Sequence, residues 1–81
     1  MIDQVRSLFA RNAMLPFDVS KLSDQDSLYD AGMTSFASVQ MMLALEEEFD
    51  IEFPEQMLTR RTFSSLASIA DAVSQIKEQA A

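Results

Sequence analysis

Phe63, Leu66, Ile69, Ala70, Val73 and Ile76 recur at intervals of three and four residues, a period that lines one side of an α-helix and no single side of a strand. A stripe of that kind is stable only when buried against other apolar faces, so it commits the chain to helix-on-helix packing. Thr62 stands ahead of the stripe as a capping residue, and the pattern fades through Lys77, Glu78, Gln79, Ala80 and Ala81. One glycine and two prolines in 81 residues, 48% of them hydrophobic, suit such a domain better than a turn-rich sheet or a disordered tail. The expected fold is all-α: a small four-helix bundle with three main helices, one short helix, and a long loop between the first two. Residues 1–81 are expected to form one domain, of modest stability because a chain this short buries only about 60% of its unfolded surface.

Ile2, Val5, Leu8 and Phe9 carry the helical period from Ile2 to about Ala13. From Leu15 to Thr34 the period fades around Pro16 and a polar cluster of Ser20, Ser23, Asp24, Asp26 and Ser27, which predicts a long loop. Leu15, Phe17, Val19, Leu22 and Leu28 are spaced to tack that loop across the bundle. A second main helix is expected over Phe36–Phe49, capped by Thr34 or Ser35. Its apolar residues fall on two sides, Met41, Met42, Leu45 and Phe49 on one and Phe36, Val39 and Leu43 on the other. Pro54 can start a short helix from Glu55 to about Arg60. Met14, Met33, Met41, Met42 and Met57 read as core or rim filler.

The chain contains no cysteine and no histidine. Disulfides, thiolate catalysis, cysteine metal sites and the usual neutral-pH base are absent together. A net charge of −7 disfavours nucleic acid, which needs clustered Lys and Arg, and favours partners with a positive surface. The N-terminal residues lack a signal-peptide pattern and no apolar run has membrane-spanning length. A cytoplasmic protein is expected, with no membrane partner.

Gly32 marks a sharp turn or a close approach to another molecule, and Ser35 follows three residues later at a helix N-terminus. With no G-x-S-x-G elbow and no histidine, Ser35 cannot be a hydrolytic nucleophile, and no catalytic residue is expected. As an exposed hydroxyl at the positive end of a helix it suits a phosphate ester installed by another enzyme. A calcium-loop reading from Asp24 fails, because Leu28, Tyr29 and Ser35 occupy positions that require a ligand, a glycine and a bidentate glutamate. No metal site is expected.

The run Gly32, Met33, Thr34, Ser35, Phe36, followed by A-L-E-E-E-F-D over Ala44–Asp50 and by Ile51–Pro54, resembles the G-x-D-S-L attachment motif and acidic helix of the acyl carrier protein family, which includes aminoacyl and peptidyl carriers. Thr62, Phe63, Leu66 and Ile69 resemble the start of that family's last helix. The resemblance implies a 4′-phosphopantetheine arm from coenzyme A attached at Ser35, with Gly32, Thr34 and Phe36 around it. It further implies a phosphopantetheinyl transferase that supplies Mg²⁺ and the base, a cargo-loading ligase or synthetase, and a downstream acceptor enzyme. The arm would bring the thiol that the chain lacks and hold an acyl or aminoacyl cargo as a thioester. Thr34 replaces the usual Asp or Asn and Phe36 the usual Leu. These departures, the short solitary chain and the basic pair Arg60 and Arg61 favour a discrete, specialised carrier loaded with an amino acid by a stand-alone ligase, and a monomer is expected.

Phe36, Val39 and Leu43, with Glu46 and Glu47, are the expected partner-binding surface, apolar anchors giving affinity and acids giving orientation. Glu48, Asp50, Glu52 and Glu55 extend the acidic cluster, and Arg60 and Arg61 are placed to pair with it. An unmodified acidic interaction domain using the same surface is the alternative.

Overall fold

The computed structural model describes residues 1–11 and 15–80, and among these the regular elements are all helical. They are α1 (Ile2–Ala10), α2 (Leu28–Ala31), α3 (Ser35–Phe49) and α4 (Leu66–Ala80), with 3-10 turns at Val19–Lys21 and Glu55–Met57. The all-α architecture of three main helices and one short one holds, with two changes in where the pieces lie.

The short helix is not over Glu55–Arg60, where only the Glu55–Met57 turn forms. Instead it is α2, inside the segment read as loop. Ser27 caps α2 by accepting the Asp30 N–H at 3.2 Å, and Gly32 closes it after a single turn. Leu28 anchors it in the core, while its N–H reaches Ser64 O at 2.7 Å. The last helix starts at Leu66 rather than after Thr62, because Ser65 Oγ accepts the Ser68 N–H at 3.1 Å. Thr62 pairs with Thr59 in the turn that precedes it. The first helix ends at Ala10 with Arg11 as its cap; its expected extension to Ala13, and Met14, lie outside the described residues.

The core gathers Val5 and Phe9 of α1, Met41, Leu45 and Phe49 of α3, and Leu66, Ile69, Val73 and Ile76 of α4. Burying each such side chain contributes about 1.5–3 kcal/mol. α1 packs against both α3 and α4. Ala37 also faces inward, where its small side chain lets α3 pack closely, and the Phe53 and Phe63 rings meet in a tilted pair with centroids 5.3 Å apart. The long segment between α1 and α3 is tacked down as its apolar spacing predicts. Val19 and Leu28 are buried, and Leu15, Phe17 and Leu22 pack half-buried against the core. Met33 and Met41 fill the core and Met42 and Met57 its rim.

Arg6 of α1 adds a polar staple to the same segment. Its guanidinium donates to Val19 O at 2.6 Å and to Leu22 O at 2.8 Å, and pairs with Asp24. The Asp24 carbonyl in turn accepts the Ala67 N–H at 3.0 Å, so the connection is held between α1 and α4. No helix among the described residues is long and apolar enough to cross a membrane.

Candidate functional site

Gly32 has φ +124°, a conformation that residues with a Cβ rarely adopt. A Cβ there would also come within 3.3 Å of Pro16 Cγ. The turn delivers Thr34 in an extended conformation, and Thr34 Oγ1 accepts the Ala37 N–H at 3.0 Å. Thr34, rather than Ser35, is therefore the N-cap of α3. Ser35 becomes the first residue of the helix, exposed, and among the described residues its hydroxyl has no hydrogen-bond partner. A cap taken by the neighbour leaves the serine oxygen available for chemistry.

Ser35 opens onto a groove of about 470 Å³ lined by Tyr29, Val39, Met42, Leu58, Arg60 and Phe63, together with Ser38 and Thr59. No Asp or Glu lines it, although the chain has 13 of them. Tyr29 comes from α2, Val39 and Met42 from α3, and Arg60 from the stretch before α4. Arg60 lies over the Tyr29 ring, 4.0 Å from its centroid. Sequence reading missed Tyr29, Leu58 and Phe63 as groove residues and set Met42 in the core, because no local spacing brings residues 29, 42 and 60 together.

The apolar residues named for a partner surface lie open on the serine's own helix. Phe36, Val39 and Leu43 are 64%, 49% and 50% exposed, so no part of the long connection covers them. Glu47 and Glu48 are exposed at the far end of the same helix, whereas Glu46 is half-buried. Its Oε2 accepts the Phe53 N–H at 2.9 Å, which gives Glu46 a fold-holding task. Arg60 and Arg61 do not pair with the acids among the described residues. The ion pairs found there are Arg6–Asp24 and Arg11–Glu48.

Charge is thus sorted along α3. Its 15 residues span about 20 Å at about 1.5 Å per residue, with Ser35 and the helix's free N–H groups at one end and Glu46, Glu47, Glu48 and Asp50 at the other. Acids at a C-terminus oppose the helix dipole and cost stability. Their position is unfavourable for the isolated helix and favourable for meeting a cation from outside.

Residues 3–73 match the family described as the phosphopantetheine attachment site. The chain belongs to this family of carrier proteins. The carrier is 48% identical over 69 residues to the aminoacyl carrier protein of Agrobacterium fabrum, an alignment spanning 85% of this chain and 83% of that one. It superposes with a TM-score of 0.85 and 45% identity on a chain in the crystal structure of an engineered Bradyrhizobium japonicum glycine:[carrier protein] ligase complexed with carrier protein from Agrobacterium tumefaciens and ATP, covering 93% of this chain and 97% of that one. A chain in the crystal structure of the Bradyrhizobium japonicum ligase complexed with glycylated carrier protein matches with a TM-score of 0.65 and 30% identity, over 88% of this chain and 90% of that one. The carrier is not an enzyme, and its prosthetic group is covalent phosphopantetheine.

The residues around Ser35 fit such a group. A phosphodiester would stand at the positive end of α3 beside unsatisfied N–H groups of the first turn, next to a groove without carboxylates and with one guanidinium. When bound, the group supplies a thiol on a long flexible arm.

Proposed function

We propose that this carrier takes its 4′-phosphopantetheine arm on Ser35 and transports an amino acid as a thioester on that arm. Ser35 Oγ loses its proton to a base of the phosphopantetheinyl transferase and forms the new bond to phosphorus, while the adenosine bisphosphate half of coenzyme A departs. A stand-alone ligase then loads the amino acid, and an acceptor enzyme removes it. The 81 residues act as one monomeric carrier domain in the cytoplasm. Phe36, Val39 and Leu43 provide the apolar contact with these partners and Glu47 the orienting charge.

The single observation that carries the aminoacyl reading is the 48% identity to an aminoacyl carrier protein. The exposed, uncapped Ser35 at the start of α3 supports the attachment point.

The test is intact mass after incubation with coenzyme A, Mg²⁺ and a broad-specificity phosphopantetheinyl transferase, followed by loading trials. One arm is expected on the wild type and none on Ser35→Ala. The product is then offered glycine and other amino acids with ATP and a stand-alone ligase, and in parallel fatty acids with an acyl-carrier synthetase. Exclusive fatty acyl loading would overturn the aminoacyl reading, and an equal mass gain on Ser35→Ala would overturn the attachment site.

A further inference from the structure

Arg60 is the one cation lining the groove beside Ser35. Its guanidinium is laid over Tyr29 at 4.0 Å, and among the described residues no carboxylate pairs with it. In a chain with 13 acidic and 6 basic residues, an arginine resting on a ring without an acidic partner is held for something other than internal charge balance. Stacking occupies the face of a guanidinium and leaves its in-plane N–H donors free. That donor edge is what binds a phosphate ester, two N–H groups to two oxygens.

The support under Arg60 is itself fixed. Tyr29 sits on α2, which is capped at both ends by Ser27 and Gly32 and tied to Ser64 O through the Leu28 N–H. Three separate elements therefore bring a ring, a cation and a hydroxyl to one groove. The same groove is also lined by Val39, Met42 and Phe63, a surface suited to the alkyl portion of a chain but not to its charge.

We infer that Arg60 is a positioning residue for the prosthetic arm: its guanidinium, stacked on Tyr29, pairs with the phosphodiester on Ser35 and directs the first part of the arm along the apolar groove. This rests on Ser35 being the attachment point. It adds a residue distant in sequence from the attachment motif, and it makes Tyr29 a support for that residue.

The experiment converts the apo protein with coenzyme A, Mg²⁺ and a phosphopantetheinyl transferase, and records NMR spectra before and after. Intact mass reports attachment, the ¹⁵N-labelled Arg60 Nε–Hε signal reports pairing, and ³¹P reports the phosphodiester. The Arg60 Nε–Hε signal is expected to shift on conversion. The ³¹P signal of the holo protein is expected to move in Arg60→Gln and Tyr29→Leu and to stay in Tyr29→Phe, with Arg60→Lys intermediate. Amide spectra of the variants show that the fold is kept. A complete mass gain with an unmoved Nε–Hε signal in the wild type overturns the pairing while leaving Ser35 as the site, and this comparison needs no variant to fold. No mass gain on the wild type, or an equal gain on Ser35→Ala, overturns both.

Discussion

The Glu46 carboxylate accepts the backbone N–H of Phe53 at 2.9 Å, joining α3 to the extended stretch that follows it. This splits the acidic cluster into a residue that holds the fold and residues that face outward. A charge-assisted bond to a partly buried backbone donor contributes about 1–2 kcal/mol. Glu46→Ala should therefore lower the urea midpoint by a corresponding amount. Glu47→Lys should leave the stability within about 0.5 kcal/mol of wild type and slow ligase loading at low salt, an effect that fades as salt screens the surface. Equal stability of the two variants would remove the distinction between them.

Thr34 stands where the family motif usually has Asp or Asn, and as the N-cap of α3 it keeps the acceptor that those residues would supply. Asp, Asn and Thr all accept a hydrogen bond at a helix N-cap. Thr34→Val keeps the shape and loses the acceptor, so it should cost about 1 kcal/mol. Thr34→Asp should keep the stability of the wild type, since it retains the acceptor and places negative charge at the positive end of α3. Chemical denaturation of the two variants checks the order, and a Thr34→Val midpoint equal to wild type would deny Thr34 the capping role.

Arg6 holds two backbone carbonyls of the connection, Val19 O and Leu22 O. Arg6→Ala strips both of a charged donor in partly buried surroundings, at a cost of about 2 kcal/mol. Amide exchange should show the Val19–Leu22 stretch opening first, while α4 follows global unfolding. Arg6→Lys, with one compact donor group in place of a planar fork, should recover only part of the protection.

The same stretch responds to acid. Asp18 accepts from the Ser20 hydroxyl and N–H, which lowers its pKa below 3.8. Asp26 is lowered in the same direction by the Ser23 backbone N–H and then its side chain. Folded pKa values below the unfolded ones mean that this stabilisation is complete above the unfolded value and is lost as pH falls through the folded one. Carboxyl chemical shifts followed from pH 6 to about pH 2 should give midpoints below 3.8 for both residues. Midpoints at or above it would break the assignment.

Much of the bundle was legible in the sequence because its large residues repeat with the helical period. Met41, Leu45 and Phe49 point inward and Phe36, Val39 and Leu43 outward, as their spacing requires. The placing of Ser35 at the exposed start of a helix was legible because glycine, hydroxyl and acidic helix follow one another within one stretch. Local capping was harder to read. Ser27 and Asp30 carry a cap signal for α2 that lay hidden among other loop polar residues, and Ser65 competed with Thr62 for the start of α4. The contact of Arg60 with Tyr29 had no sequence signal, since it joins residues separated by the whole of α3.

The sorting of charge along α3 gives the molecule a handle for rotation. In the field of a cationic surface the acidic end is drawn towards the cations and the serine end feels no such pull, so a torque acts before any atoms touch. The search over orientations that ordinarily slows the meeting of two specific patches is shortened during approach. Neutralising the acids should therefore first reduce productive encounters, while a complex held, as proposed, through Phe36, Val39 and Leu43 should dissociate at much the same rate.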